Sequence, residues 1–139
     1  MTDTITVDDY PARVTEKVRY ADTDRQGHVN NAVFATFLES GRVAVLYDPH
    51  APLAEPGSGF VIARLELDFR AEMTWPGDVV VGTRVATIGR SSVTLEQGIF
   101  QGDRCVATAR TVIVSMDEAT RRSRPLPESA ITALTALIE

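Results

Sequence analysis

The chain has 139 residues, 44% hydrophobic and 24% charged, which suits one ordinary globular domain able to bury a core of its own. A formal charge of −5 and a pI near 5.0 leave no basic face of the kind a duplex reader needs, so no nucleic-acid partner is expected. Cys105 is the single cysteine, which excludes an internal disulfide and a cysteine-based zinc site; its apolar surroundings suit an inert, buried thiol.

The amino-terminal MTDTITVDDY is acidic and has neither a basic n-region nor an apolar core, so it does not read as a signal peptide. No apolar run approaches the length of about 18 residues that spans a bilayer. No membrane insertion is therefore expected, and the cytoplasm is the expected compartment. No repeat or linker divides the chain, which reads as a single domain over 1–139, with a lead-in over 1–12 closing at Pro11. From Arg13 to Tyr20, the alternation Val14, Glu16, Val18, Tyr20 predicts a strand with one mixed face. The polar ADTDRQGHV that follows predicts a loop.

Asn30 is a good helix N-cap, and a helix is predicted from there to about Tyr47. Its apolar residues, among them Ala32, Phe34, Phe37, Leu38, Ala44 and Leu46, lie almost all round, with Glu39 and Arg42 the main charged exceptions. Such a helix must be enclosed. DPHAPLAEPGSG, with three Pro and two Gly, predicts a connection. The period then changes to two: Val61, Ala63, Leu65, Leu67 and Phe69 on one face, Arg64, Glu66, Asp68 and Arg70 on the other. Past the TWPGD turn, strands are predicted near 78–88, 92–101 and 104–116, the last two joined by a Gly102-Asp103 hairpin. The tail over 128–139, with Ile131, Leu134, Leu137 and Ile138 at helical spacing, predicts a short docking helix. The order predicts an α+β fold in which an antiparallel five- or six-stranded sheet curls around one long central helix. One chain of this size leaves sheet edge and helix partly bare, so a homo-oligomer, dimer or tetramer, is expected.

The chemistry concentrates in YADTDRQGHVNN. A calcium loop fails because its twelfth position, with Asp22 counted as the first, needs a Glu and is Val33. No metal motif spacing joins His28 to His50, so no metal is expected. Acyl transfer to water fits better. It needs a carboxylate base or nucleophile on one side of a carbonyl and hydrogen-bond donors on the other. A helix N-terminus supplies unpaired N–H groups and the positive end of a dipole. Asp24 stands six residues before Asn30, and Gly27 lets the backbone come close. No Gly-x-Ser-x-Gly elbow occurs, which excludes a serine hydrolase of that type.

The segment VRYADTDRQGHVNNAVFATFLESGR, residues 18–42, resembles the signature of the hotdog-fold acyl-CoA thioesterases, most closely the 4-hydroxybenzoyl-CoA thioesterase-like branch. WPGD at 75–78, IGRSS at 88–92 and TRRSRPLP at 120–127 extend the resemblance over most of the chain. It implies a thioester hydrolase acting on acyl-CoA or acyl-carrier-protein, with no cofactor beyond the coenzyme A of the substrate. The family's aspartate falls at Asp24, as nucleophile or general base, and its carbonyl-polarising backbone amide falls at Asn31. The 4-hydroxybenzoyl enzyme carries apolar and aromatic residues where this chain has His28, Asn30 and Asn31.

Other residues carry alternatives. His28 either orients the carbonyl or a water, or fixes the loop. Asn30 is favoured as the helix cap over substrate contact, and Asp22 as a structural acid. Glu39, three residues before Arg42, is favoured as an intrahelical ion pair over catalysis and kept as a candidate to line the substrate site. Arg90 and Arg122, with Arg121 and Arg124, are candidates for the coenzyme's phosphates. Two other functions fit the resemblance: an acyl-thioester hydratase or dehydratase, and a non-catalytic acyl-CoA-binding domain.

Overall fold

The computed structural model describes residues 4–138, so the first three residues of the lead-in and the last residue of the tail lie outside it. Within that range the alternating segments become five strands: β1 (Ala12–Val18), β2 (Ser58–Phe69), β3 (Gly77–Ile88), β4 (Ser92–Gln101) and β5 (Arg104–Asp117). All neighbours are antiparallel, in the order β1-β3-β4-β5-β2. Gly102, at φ +63°, takes the left-handed conformation that a tight hairpin between β4 and β5 requires. Tyr20, expected at the end of the first strand, instead enters a 3-10 turn over Tyr20–Asp22.

Helix α1 (Asn31–Leu46) lies on one face of the sheet, against β1, β3 and β4. Two apolar clusters fill the space between. One joins Phe34, Phe37 and Leu38 to Val18, Val79, Val81, Ile99 and Met73; the other joins Leu46 to Val85, Val93, Leu95 and Ile113. Helix α2 (Glu128–Thr135) closes the second cluster with Ala130 and Leu134, while Ile131 and Ile138 stay exposed. A 3-10 turn at Val7–Asp9 sets Tyr10 on the opposite face of the sheet, edge-on to Phe100.

Two expectations need correction. First, β2 does not alternate cleanly: its pairing with β5 shifts between Ile62 and Arg64. The extra residue, Ala63, is a bulge, and a bulge inverts the parity of everything before it. Phe60 and Ile62 therefore share the helix side with Leu65 and Phe69, whereas Val61 turns to the other face. Second, α1 is not enclosed on all sides. Ala32, Val43 and Ala44 are exposed, and on the neighbouring strand so are Ile62, Leu65 and Phe69. The helix sits over the β1–β3–β4 half of the sheet and leaves the β2 flank open.

Candidate active site

The loop between β1 and α1 is built from its two acids. Asp22 is buried and ends its 3-10 turn by accepting from Arg19: the backbone N–H at 2.8 Å and the guanidinium at 2.7 and 3.2 Å. The Arg19 guanidinium holds its carboxyl below the usual carboxylate range, against the opposing effect of burial. Its main-chain oxygen accepts from the Asn30 N–H at 2.9 Å and so ties the start of the loop to the start of the helix.

Asp24 closes the tip. Its N–H donates to the His28 carbonyl at 2.7 Å, while its Oδ1 accepts from the N–H groups of Gln26 (2.8 Å) and His28 (3.3 Å). Gly27 occupies φ +83° and donates to the Asp24 carbonyl at 3.1 Å, a turn that a side chain would strain. The tip is thus tied by the carboxylate's own oxygen, and Asp24 Oδ2 accepts from no described residue.

At the helix start, the Asn30 side chain accepts from the Ala32 N–H at 2.9 Å, and its carbonyl accepts from the Val33 N–H at 2.9 Å. The Asn31 N–H has no acceptor among the described residues. Asp24, Gln26, His28 and Asn31 line one cavity of about 440 Å³. Its apolar wall is Val29, Phe34, Phe69, Ala71 and Met73, and Arg70 and Glu72 stand at its rim. The residue with a free carboxylate oxygen and the residue with an uncommitted N–H at a helix N-terminus therefore line the same space. That arrangement can hold a carbonyl between a base and an electrophilic donor.

The remaining candidates are placed elsewhere. Asn30 spends its side chain on the cap. Glu39 is exposed on the α1 flank and makes no ion pair within 4 Å among the described residues. Arg42 is instead buried, and its Nη1 donates to Gln97 Oε1 at 3.5 Å. Burial lowers its pKa and the nearby Glu39 charge opposes that effect. Arg90 lies in the β3–β4 turn and Arg122 beyond the end of β5, both exposed. The Asp24 loop follows Val18, which pairs with Gly77 at the start of β3, so Arg90 is at the other end of that strand, roughly 35 Å away. One chain does not bring these arginines to the cavity.

The sequence marks Phe69 and Arg70 only as strand positions, and it does not single out Glu72 and Met73. They come from the end of β2, distant in sequence, and only the closing of alternation after Phe69 hints at them. A second cavity, of about 420 Å³, lies on the opposite face of the sheet, where Glu96 bridges Arg84 (3.1 Å) and Arg110 (2.9 Å). Asp9, Glu66 and Asp68 also line it. Among the described residues no group of three or more His, Cys, Asp and Glu is arranged to hold a metal ion, and no helix is long and apolar enough to cross a membrane.

Residues 18–134 match the model of the thioesterase-like superfamily, so the chain belongs to that superfamily, and it is an enzyme of the hydrolase class. More particularly, it is 25% identical over 120 residues to the acyl-CoA thioester hydrolase YbgC of Escherichia coli, covering 83% of this chain and 89% of that protein. Among solved structures it is similar to the PA5185 protein of Pseudomonas aeruginosa, with 26% identity, 96% of each chain covered and a TM-score of 0.87. It is also similar to a Thermus thermophilus thioesterase solved with coenzyme A and zinc, with 32% identity, 92% and 94% covered and a TM-score of 0.78.

Proposed function

We propose that the protein hydrolyses acyl-CoA or acyl-carrier-protein thioesters to free acid and thiol. The observation that carries this is the shared cavity of Asp24 and the uncommitted Asn31 N–H. The thioester oxygen accepts from that N–H, which strengthens as negative charge develops on the oxygen. Asp24 either attacks the carbonyl carbon, forming a mixed anhydride that a water then hydrolyses to the free acid and the regenerated carboxylate, or takes a proton from the water that attacks. The C–S electron pair leaves with sulfur, the thiolate takes a proton from solvent, and no cofactor or metal is required. The relatives named for acyl-CoA hydrolysis, and the one solved with coenzyme A, support this substrate class.

The working unit in this reading is a homodimer formed along β2, in a cytoplasmic setting that suits a lone, unbridged Cys105. A 12-residue strand at the sheet edge with Ile62 50%, Leu65 38% and Phe69 51% exposed is an invitation to pair. The other edge, β1, is short and carries Arg13, Glu16 and Lys17. Two β2 strands paired antiparallel about a two-fold axis set the start of one beside the end of the other. That brings the end of the partner's sheet that bears Arg90 and Arg122 toward the cavity of the first chain, where a coenzyme's phosphates would lie.

The test is thiol release from short, long and aromatic acyl-CoAs by the wild type and by Asp24→Asn. Hydrolysis by the wild type and a loss of about 100-fold or more in the variant are expected, within the range typical of a lost acid–base group. Full activity in D24N rejects the role of Asp24, and enoyl-CoA hydration without thiol release rejects hydrolysis.

A further inference from the structure

The rim of the cavity carries an acid that the reaction as described leaves unused. Glu72 follows β2, and its Oε2 stands 3.2 Å from His28 Nε2. Both side chains line the space that Asp24 and Asn31 border. The backbones that carry them are locked together: the Val29 N–H donates to the Met73 carbonyl at 2.9 Å, and His28 and Thr74 form an antiparallel bridge. The β4–β5 hairpin fixes the same segment from the other side. Arg104 donates to the Glu72 carbonyl at 3.0 Å, and Gln101 clasps Thr74 through its N–H (2.9 Å) and its carbonyl (2.8 Å).

The two side chains are 38% and 67% exposed, so the pair adds little to stability. Its consequence is for the imidazole. A neutral ring has one N–H and one lone pair, and the nitrogen that faces an acceptor keeps the proton. A carboxylate at Nε2 therefore leaves Nδ1 as an acceptor. An acceptor has nothing to offer a thioester oxygen, which the Asn31 N–H already serves, but it suits the O–H of a water.

We infer that Glu72 is a positioning residue: it fixes the His28 tautomer, so that Nδ1 accepts a hydrogen bond from the water consumed in hydrolysis. His28 orients that water and the proton balance remains that of hydrolysis. The inference rests on the thioester-hydrolase reading and deepens it, choosing the water over the carbonyl as the partner of His28.

The test is a double-mutant cycle on an acyl-CoA that the wild type turns over, with H28A, E72A, E72Q and H28A/E72A and thermal midpoints recorded alongside. The expected result is a fall of about tenfold in kcat for E72A with KM within about twofold, since the group acts on a step after binding. E72Q, whose amide oxygen still accepts from Nε2–H, should keep roughly half the wild-type kcat, and the double variant should be no slower than H28A alone. An unchanged kcat in E72A, a change confined to KM, or independent effects in the double variant overturns the inference. If E72A loses stability, E72Q carries the test, and E72Q as slow as E72A overturns it. A wild type inert toward every acyl thioester instead removes the hydrolase reading itself.

Discussion

Asp22 and Asp24 carry the same carboxyl group two residues apart, and the loop sends them to opposite uses. Asp22 faces inward onto the Arg19 guanidinium and backbone N–H; Asp24 faces the cavity with one oxygen anchored. The Arg19 contacts keep Asp22 ionised below the ordinary range, near 3.9, of an unfolded aspartate. Its contribution is therefore complete above about pH 4 and lost as pH falls through the depressed folded value. Asp22→Asn should lower stability at pH 7 by about 2 kcal/mol, the scale of a hydrogen bond to a charged group. Denaturant titrations should show the gap between variant and wild type closing as pH falls through the depressed folded value of Asp22; a gap independent of pH would deny Asp22 this role. The oxyanion donor we propose can be removed just as selectively, because it belongs to the backbone. Asn31 is the first helical residue, where proline is tolerated, and Asn30 already has the extended ψ of 140° that a following proline demands. Asn31→Pro should fold, with a cooperative thermal transition, and lose about 100- to 1,000-fold in kcat. Asn31→Ala keeps the N–H and should stay within about tenfold of wild type.

The contact of α1 with the sheet turns on Gly41. A Cβ there would meet Val81 Cγ1 at 2.6 Å and Gln97 Nε2 at 2.7 Å. Glycine lowers intrinsic helix propensity, and the close approach to the sheet is its compensation. Beneath it, the buried Gln97 donates to the Leu38 carbonyl and the Thr83 hydroxyl, both at 3.0 Å, and so pins the middle of the helix to β4 and β3. Gly41→Ala should therefore destabilise, by about 2 kcal/mol of overpacking, although alanine is the better helix former. A raised melting temperature would show that the helix can lift without loss. Holding α1 at this height also fixes the Asn31 N–H relative to Asp24, which links packing at Gly41 to the geometry of the cavity.

At the scale of the whole molecule, the unfinished part is the flank between α1 and β2. The bulge at Ala63 turns both Phe60 and Ile62 toward the helix side, so the open flank is more apolar than a regular strand would make it. A second copy closes it in our reading. Ile62→Asp, which sets a charge on that flank, should yield a monomer by sedimentation and cut kcat/KM by at least about tenfold, since the partner's end of the sheet is then lost to the site. A variant that sediments and turns over like the wild type would sink the β2 interface.

Much of this was legible in the chain itself. Period-two runs named β3, β4 and β5 closely, Asn30 marked the helix start, and the short polar loop kept Asp24, His28 and Asn31 within reach of one another. These are local matters, decided by propensity, turn chemistry and the few residues between them. The bulge at Ala63 was hidden because one extra residue leaves the apolar count of the strand unchanged and alters only its register against β5. Pairing Glu39 with Arg42 followed from helical spacing, but Gln97, 55 residues further on, supplies the hydrogen-bond acceptor for Arg42. Glu72 and the apolar wall from Phe69 to Met73 reach the cavity only through the antiparallel return of β2. Contacts between distant segments depend on strand register and on how closely helix and sheet approach, and those are set by packing the whole chain at once.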